Sequence, residues 1–594
     1  MSGAAVTSEA VKEAAADCTK QAGGNYKETK RFMLKKIFLG TDHFDKLIDS
    51  GGYYVDKTEL LYELVEETSN EITLFTRPRR FGKSLTLSMM ESFFDCGVSG
   101  ERNSRDKFKE WAIYQKHPDF CENWMNRYPT IFISLKDVEG LTFEDAYEML
   151  VGEIAKLCIR KAYLEKEEKV TAADSVVFRK LMFKEASKEE IKNSLQTIMR
   201  MMCAVYQTPV ILLIDEYDVP LAKAQENHYY YKMLDVIRGI MSISLKSNEY
   251  LKFAVVTGCL RIPKESIFTG VNNFASYSVL DEDFSEYFGF TYDEVKCLLK
   301  YYDREEMIDM IRTWYDGYIF GDTNIFCPWD VLSYVAALRK RSSAVPKAYW
   351  ENTSGNGAIR EFFKLGNEDI TDQLEALLNG GTVTENVTNA LTYEEAYTSA
   401  NNLWSVLLMT GYVTAVSQEE AGSSEEGARG VELRIPNREI LTIFQKAVAD
   451  HFSQTVDQER IKELIDALWD KREDRATELL SDLLFETISY MDYHEDYYQA
   501  FIAGIFAGRG YVPQSNKEHG LGRPDVYLRD RRNRRMMIIE CKKSDSKNRM
   551  DYWCDNALKQ IVEKKYAVKT EGFDIVLCYG ISFFEKRAKV KLLR

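Results

Sequence analysis

Hydrophobic and polar positions along the chain alternate in blocks that predict strands separated by helices, from about residue 35 to residue 279. Four short apolar runs have the length of buried strands: Glu71–Thr76, Thr130–Leu135, Pro209–Asp218 and Leu251–Gly258. The longer segments between them carry apolar residues at helical spacing. Because continuous apolar runs suit strands covered on both faces, the pattern predicts an α/β domain with a parallel sheet.

Beyond this region the pattern changes twice. Residues 280–480 are largely helical, and near their end a helix and two short apolar segments flank a Gly/Ser/Glu-rich turn, which predicts a helical lid followed by a winged helix. The tail, residues 481–594, returns to strands and helices and predicts a second α/β domain. The polar stretch at 1–34 has no apolar signal core, and we expect a flexible leader there.

Composition narrows the function classes. With 594 residues, 45% hydrophobic and 29% charged, the chain has the balance of a soluble protein of several domains. Its net charge of −15 makes it a poor nonspecific binder of polyanions, so nucleic acid needs a local basic surface. The 11 cysteines form no C-x-x-C pair, and no apolar run reaches the length of about 20 residues that a membrane helix needs. We therefore expect a cytoplasmic protein without membrane contact.

The segment TRPRRFGKS (Thr76–Ser84) follows a predicted strand and precedes an amphipathic helix, as a phosphate-binding loop does. Lys83 is placed to reach β- and γ-phosphate oxygens, and the Ser84 hydroxyl to ligate Mg²⁺. Gly82 is present, but Arg77 stands where the first glycine of the motif belongs. An arginine there either alters the path of the loop or directs its guanidinium at phosphate or elsewhere in the chain.

A lone G-K-S is a common chance match. A strand that ends in acidic residues, further along the chain, strengthens the nucleotide interpretation. The apolar run ending in Asp215 predicts a carboxylate beside Mg²⁺, and Glu216 is placed to polarise the attacking water. Arg79, in the same basic loop, is a further nucleotide-binding candidate. Thr257 and Arg261, after the fourth strand, are candidates for sensing the γ-phosphate, with a surface salt bridge as the alternative for Arg261.

A second candidate site lies in the tail, where RPDVYL is followed by a basic turn and MMIIECKK. Because side chains alternate along a strand, Glu540 and Lys542 share one face. If the strand that begins near Asp525 pairs with this one, two carboxylates and the Cys541 carbonyl form a hard oxygen site suited to Mg²⁺. Lys542 is then placed to orient or deprotonate the attacking water. Taken singly, each of these residues is unremarkable on a strand or turn.

Neighbouring residues extend this site. Glu495, on a preceding helix, is a candidate metal ligand, although a solvated helix position is its simpler interpretation. Gln560 and Tyr566, on the following helix, are candidates for contact with the substrate backbone. The basic turn reads as a solvated hairpin tip or, beside a phosphodiester-cleaving site, as a contact for DNA. Its candidate residues are Arg529, Arg531 and Arg532.

Several segments together resemble a bacterial family that fuses an AAA-ATPase-like domain to a C-terminal PD-(D/E)XK nuclease-like domain. They are GGYYVDKTELL, TRPRRFGKSLTLSMMESFFD, ILLIDEYDVPL, TGCLRIPKESIFTGVNNF, FSEYFGFTYDEV, WYDGY, LRIPNREI, GLGRPDVYL and IIECKK. The resemblance implies a P-loop NTPase fold in residues 35–279, a restriction-endonuclease-like fold in the tail, and ATP binding by a loop whose family form already carries the arginine. It also implies that Asp525, Glu540 and Lys542 form the nuclease site.

Three functions remain open at this level. The first is an ATP-regulated nuclease that requires Mg²⁺ or Mn²⁺, acts on DNA rather than RNA, and defends against foreign DNA. The second is a nucleotide-switched signalling or scaffold protein, compatible with a homo-oligomer, whose tail binds nucleic acid without cutting it. The third is a nuclease that works without ATP beside a structural NTPase remnant.

Overall fold

A computed structural model gives the structure of the chain for the following residues: 34–68, 70–261, 268, 273–350, 359, 373–374, 376–378, 380–388, 391–393, 395–396, 399–416, 430–455, 458–487, 498–499, 501–502, 505–506, 525–530, 533–566 and 573–593. Residues 1–33 of the expected leader lie outside these ranges. The candidate residues Glu495, Arg531 and Arg532 also lie outside the described residues.

A parallel sheet organises the N-terminal region, and within the described residues it has five strands in the order β2-β3-β4-β1-β5. The strands are β1 Ile72–Thr76, β2 Thr130–Ser134, β3 Val210–Asp215, β4 Leu251–Gly258 and β5 Phe274–Tyr277. The parallel α/β sheet expected from the apolar runs is confirmed. The sequence pattern missed β5, because its four residues are only half-buried and carry no apolar run.

Helices cover both faces of this sheet. They are α1 Phe44–Asp49, α2 Leu60–Tyr62, α3 Lys83–Phe94, α4 Arg105–Phe108, α5 Ala112–Lys116, α6 Pro118–Trp124, α7 Phe143–Arg160, α8 Ala172–Met182, α9 Lys188–Lys192, α10 Ser194–Tyr206, α11 Val219–Glu226 and α12 Tyr230–Leu245. Along β3, Leu212 and Ile214 pack into one hydrophobic cluster and Ile211 and Leu213 into another. Alternate side chains of one strand thus enter opposite layers, which explains its uninterrupted apolar sequence.

The described part of the middle region is mainly helical and contains two small sheets. Its helices are α13 Tyr292–Tyr301, α14 Ile308–Tyr315, α15 Pro328–Lys340, α16 Ala400–Thr410, α17 Arg438–Thr455, α18 Gln458–Trp469 and α19 Glu473–Thr487. Its strands are β6 Tyr318–Phe320, β7 Thr323–Ile325, β8 Val383–Glu385, β9 Thr414–Ala415 and β10 Val431–Arg434. Helix α16 is followed by the antiparallel pair β9 and β10, as expected for a helix and wing, and β8 adds a third strand on β10.

The tail contains a mixed sheet whose described strands follow the order β11-β12-β13-β14. The elements are β11 Val526–Asp530, β12 Arg535–Lys543, α20 Met550–Glu563, β13 Ile575–Phe584 and β14 Arg587–Leu592. Strands β12 and β13 are parallel, and both outer pairs are antiparallel. The sequence pattern predicted β11, β12 and α20 and missed β14.

Helix α19 packs along the outer strand of this sheet. The backbone N–H of Val590 donates to the Thr477 hydroxyl at 3.0 Å, and that of Ala588 donates to the Ser481 hydroxyl at 3.1 Å. The Tyr579 hydroxyl also donates to the Leu468 carbonyl at 2.6 Å. The boundary expected between residues 480 and 481 falls inside α19, and this helix and α18 contact the tail sheet closely. Among the described helices, none has the length and apolar character to cross a membrane.

Candidate active sites

The nucleotide loop joins β1 to α3. Gly82 precedes the helix in a left-handed conformation with φ of 90°, which glycine adopts without strain. Lys83 and Ser84 therefore form the first turn of α3, where unpaired backbone N–H groups and the helix dipole favour bound phosphate. Arg80 also has a positive φ of 74°, which is strained for a residue with a side chain.

The Lys83 ammonium is surrounded by hydrogen-bond acceptors. Its ammonium donates to the carbonyls of Arg77 at 2.9 Å and Pro78 at 3.1 Å. It also lies 3.3 Å from Oε1 of Glu216, and the Lys83 side chain is only 3% exposed. Glu216 has a φ of 52° at the end of β3, and this turn directs its carboxylate toward the loop. The structure thus brings together the expected phosphate-binding cation and the expected catalytic acid.

Asp215 occupies the centre of a hydroxyl cluster. Its Oδ2 accepts from the Ser84 hydroxyl at 2.7 Å and from the Ser134 hydroxyl at 3.0 Å, and its Oδ1 accepts from the Thr257 hydroxyl at 2.8 Å. Burial raises the pKa of Asp215, with a further contribution from Glu216, while the hydrogen bonds from Ser84 and Thr257 act in the opposite direction. The pairing of Ser84 with Asp215 fits the two protein ligands that a P-loop offers to Mg²⁺.

Arg77 occupies a different place from that expected of a nucleotide contact. Its guanidinium is fully buried and donates to the carbonyls of Thr76 at 3.0 Å and Tyr277 at 2.9 Å. It also lies 5.3 Å from the ring of Phe288 and 5.4 Å from that of Phe320. Burial lowers the pKa of the group to about 9, so it remains charged at neutral pH. Arg77 ties the end of β1 to the end of β5.

A cavity of about 650 Å³ opens beside the loop, within the range of small-molecule sites. Its walls include Arg79, Lys83, Ser84 and Glu216. Thr257 is absent from the described lining residues, and its hydroxyl contacts Asp215 and, at 3.5 Å, the backbone N–H of Glu216. Arg261 is likewise absent from that lining, and its guanidinium lies 5.9 Å from the Phe274 ring.

Lys136 and Asp42 also line the cavity, where their side chains form an ion pair with each other. The sequence pattern singled out neither residue. Both lie in ordinary polar loops, where nothing in the local sequence distinguishes them. Lys136 lies just after β2, and β2 is the neighbour of β3, the strand that ends in Asp215. The order of strands in the sheet, rather than the local sequence, therefore identifies Lys136 as a residue of this site.

The tail site forms where β11 begins and β12 nears its end. The Cys541 backbone N–H donates to Oδ2 of Asp525 at 2.7 Å, and the Asp525 N–H lies 3.4 Å from Oε2 of Glu540. The Lys542 ammonium is 3.6 Å from Oε1 of Glu540, whose side chain is 1% exposed. The three residues predicted for this site therefore meet. Cys541 packs its thiol into the core on the other side of the sheet, so only its backbone can face the carboxylates.

Helix α20 supplies the outer part of this cluster. The Gln560 amide donates a short hydrogen bond to Oε1 of Glu540 and lies 3.4 Å from the Tyr566 hydroxyl. Burial raises the pKa of Tyr566, the Gln560 hydrogen bond lowers it, and the nearby charge of Glu540 raises it further. Gln560 holds the buried carboxylate in one orientation, and Tyr566 lies behind Gln560.

The basic turn lies at the far end of the same hairpin. The pairing of Asp530 with Arg535 marks the turn, whereas Val526 pairs with Ile539 next to the carboxylates. Five residues of strand from Arg535 to Glu540 correspond to about 17 Å. Arg535 pairs with Asp530 at 2.8 Å, and Arg529 folds its guanidinium over Tyr527, 4.9 Å from the ring centre. The register of β11 and β12 therefore sets Arg529 apart from the carboxylates along the hairpin, and contact of the turn with DNA stays a prediction.

The donor set fits a divalent cation only in part. Asp525 and Glu540 are hard oxygen donors, as Mg²⁺ requires, and they approach each other closely. Within the described residues, however, no group of three or more His, Cys, Asp or Glu side chains is arranged to hold a metal. The two carboxylates and backbone oxygen are thus a sparse site, of the kind in which Mg²⁺ keeps several waters.

Two buried carboxyls in the middle region also escaped the sequence pattern. Asp330 and Glu439 are hydrogen-bonded to each other, and Oε1 of Glu439 accepts from the Trp350 N–H at 2.8 Å. Burial raises the pKa of Asp330 to about 6 and that of Glu439 to about 10, where the charge of Asp330 adds to the effect. At neutral pH the pair therefore holds at least one proton.

Comparison with known proteins gives one family match for the N-terminal region and one for the tail. Residues 38–268 match a family described as "Predicted AAA-ATPase", and residues 493–592 match the PD-(D/E)XK nuclease superfamily. The chain is also similar to an uncharacterized protein in the vnfD 5′ region of Azotobacter chroococcum mcd 1, with 26% identity over 420 residues, which cover 70% of each chain. The resemblance seen in the sequence is thereby confirmed. This chain joins an N-terminal AAA-ATPase-like region to a C-terminal region similar to the PD-(D/E)XK nuclease superfamily.

Proposed function

We propose that this protein is an ATP-dependent nuclease that uses Mg²⁺ to cleave phosphodiester bonds, in DNA rather than RNA, and acts in the cytoplasm against foreign DNA. The observation that carries the proposal is the meeting of Asp525, Glu540 and Lys542 on one face of the tail sheet. The N-terminal cavity, with Lys83 and Glu216 in its wall, supports control by nucleotide.

In the tail, the chain's own residues prepare the reaction. Asp525 and Glu540 would hold Mg²⁺, which supplies Lewis-acid stabilisation of the charge that develops on the phosphate. Lys542, close to Glu540, is placed to orient the attacking water and to accept its proton after losing its own. Gln560 fixes the Glu540 carboxylate and reduces the reorganisation needed when substrate binds.

In the N-terminal cavity, Lys83 would exchange its carbonyl partners for phosphate oxygens, and Ser84 and Asp215 would hold the nucleotide's Mg²⁺. Glu216 would then leave Lys83 and orient the water that attacks the γ-phosphate. Because Lys83 and Glu216 engage each other, nucleotide entry and release of the catalytic acid are linked.

A cleavage assay tests the proposal. Purified protein is incubated with duplex DNA, single-stranded DNA or RNA, with Mg²⁺ or Mn²⁺, and with or without ATP. We expect Lys542→Ala to lower the DNA cleavage rate at least 100-fold, because general acid–base groups contribute about 10²–10⁴-fold. Lys543→Ala is the matched control, since adjacent strand residues face opposite sides of the sheet. Lys83→Ala should remove the effect of ATP, and equal cleavage by Lys542→Ala and wild type would overturn the nuclease function.

A second function has one observation in its favour. The Glu540 carboxylate is already bonded to Gln560 and lies near Lys542, and the described residues offer no set of three metal-ligating side chains. A nucleotide-switched scaffold would bind nucleic acid and would not cleave it, whichever divalent cation is added to the assay. It would also assemble into oligomers on addition of ATP, measurable by sedimentation velocity, and Lys83→Ala would abolish that assembly. A Mg·ATP isotherm from calorimetry would in turn exclude a nuclease that works without nucleotide.

A further inference from the structure

Lys136 is a cation in the nucleotide cavity that the phosphate-loop motif does not include. It follows β2, the neighbour of the strand that ends in Asp215. Ser134 donates to Oδ2 of Asp215 at 3.0 Å, and the N–H of Leu135 donates to the Asp215 carbonyl at 2.9 Å. The Lys136 backbone N–H lies 3.5 Å from the Ser134 hydroxyl. This turn therefore fixes the start of the Lys136 side chain beside the expected Mg²⁺ ligands.

Three of the four cations in the loop contact protein groups in the structure. The guanidinium of Arg77 is buried against carbonyls, and that of Arg80 lies 4.3 Å from the centre of the Trp329 ring. Lys83 is bonded within the loop and is almost fully buried. Lys136, by contrast, is 45% exposed and sits on a flexible four-carbon stem, so its ammonium can move within the cavity.

Asp42 is the resting partner of this ammonium. The two side chains form a short ion pair, and both belong to the lining of the cavity. The hydrogen bond that the Lys136 ammonium donates to Asp42 is the main cause of a raised pKa at Lys136, and the charge of Asp215 also contributes, which is consistent with a position near the Mg²⁺ ligands. A partly exposed pair of this kind contributes little to stability, so an entering anion can displace the carboxylate.

We propose that Lys136 contacts the γ-phosphate of bound ATP and that Asp42 holds it away from that position when the γ-phosphate is absent. This inference rests on the proposed binding of ATP in the cavity. The phosphate oxygens and the Asp42 carboxylate compete for one ammonium, and the more highly charged triphosphate wins. The exchange frees the segment around Asp42 from the end of β2. The cavity thereby distinguishes ATP from ADP with a cation from the same chain.

Isothermal titration calorimetry of the full chain with a Mg-bound non-hydrolysable ATP analogue and with Mg·ADP tests this proposal. We expect Lys136→Ala to weaken the triphosphate at least tenfold, in keeping with a charge-assisted hydrogen bond, and to change ADP affinity less than twofold. Asp42→Asn should act in the opposite direction, tightening the triphosphate severalfold and leaving ADP unchanged. Lys116→Ala is the control, because Lys116 pairs with Glu59 at 2.7 Å, is 59% exposed and does not line the cavity.

The two variants are expected to change triphosphate affinity in opposite directions. This distinguishes direct contact of Lys136 with the nucleotide from a structural strap, in which the ion pair only holds the cavity wall together. If Lys136→Ala and Asp42→Asn both weaken the two nucleotides to the same extent, the pair only fastens the cavity wall and the proposal is overturned. Asp42→Asn alone decides the question if Lys136→Ala does not fold, since a strap predicts no gain in triphosphate affinity. A wild-type protein that binds neither nucleotide would overturn the proposed ATP binding itself, a result distinct from equal weakening in the variants.

Discussion

Replacing Arg77 by glycine restores the complete G-x-x-x-x-G-K-S motif, yet we expect it to damage the nucleotide site. In the structure this position is occupied by a buried guanidinium that donates to the carbonyls of Thr76 and Tyr277 and packs between Phe288 and Phe320. Glycine removes these contacts and leaves a space in the core behind the loop. Motif reasoning predicts equal or better binding of ATP, so the two lines of reasoning give opposite results.

The magnitude follows from the contacts. Each hydrogen bond from a charged donor contributes about 1.5–3 kcal/mol, and a desolvated cation–π contact about 2 kcal/mol. Burial of the charge opposes this gain, as the lowered pKa of about 9 shows. We therefore expect Arg77→Gly to lower the free energy of unfolding of the N-terminal region by about 3–5 kcal/mol, the range for removal of one partner from a buried ionic group. A loss of this size is a large part of the stability of an ordinary domain.

Urea unfolding followed by tryptophan fluorescence, together with calorimetry of Mg·ATP, measures both effects. Arg80→Gly is the matched control, because Arg80 is partly exposed and has a φ of 74° that glycine relieves. Its free energy of unfolding should change by less than about 1 kcal/mol. An Arg77→Gly protein that unfolds at the wild-type urea concentration and binds Mg·ATP as tightly would refute the structural role of Arg77.

Two further predictions concern acidic side chains. Glu216→Gln should keep Mg·ATP binding and lower the ATP hydrolysis rate at least 100-fold, since the amide can still contact Lys83 but cannot activate water; unchanged hydrolysis would remove Glu216 from catalysis. The pKa values of about 6 for Asp330 and about 10 for Glu439 lie above those of free carboxyls, so the folded chain binds more protons than the unfolded chain. Stability should therefore fall as pH rises through this interval. Glu439→Gln keeps the hydrogen bonds to Asp330 and from the Trp350 N–H. Its unfolding temperature should therefore fall less between pH 6 and pH 9 than that of the wild type. An equal fall in the two proteins would show that this pair of carboxyls does not cause the pH dependence.

Local sequence was sufficient for the parts of the fold that depend on short-range patterns. The bounds predicted for β4 agree with the structure, and G-K-S indicated the start of α3. Local sequence could not explain the role of Arg77, because the acceptors of its guanidinium include the carbonyl of Tyr277, which lies on a strand 200 residues away in the chain. The same limitation applies to Lys136, whose place in the cavity depends on the neighbouring positions of β2 and β3.

In the tail, strand alternation correctly placed Glu540 and Lys542 on one face, because that pattern has a period of two residues. It gave no information on distance along the hairpin, which depends on the register of β11 and β12. The basic turn is therefore close to Glu540 in sequence and far from it in space. Strand β14 was missed because RAKVKL alternates charged and apolar residues over only six positions at the end of the chain.

The hydroxyls of Thr477 and Ser481 satisfy backbone N–H groups on the outer strand of the tail sheet. A fragment that begins at residue 481 would lose the first of these partners and most of α19, and its sheet would end in an open edge prone to pairing with other copies. The shortest tail that can be expressed as a well-behaved separate protein should therefore begin before α18. For the intact molecule, the same attachment means that a displacement of α18 and α19 also moves the tail sheet.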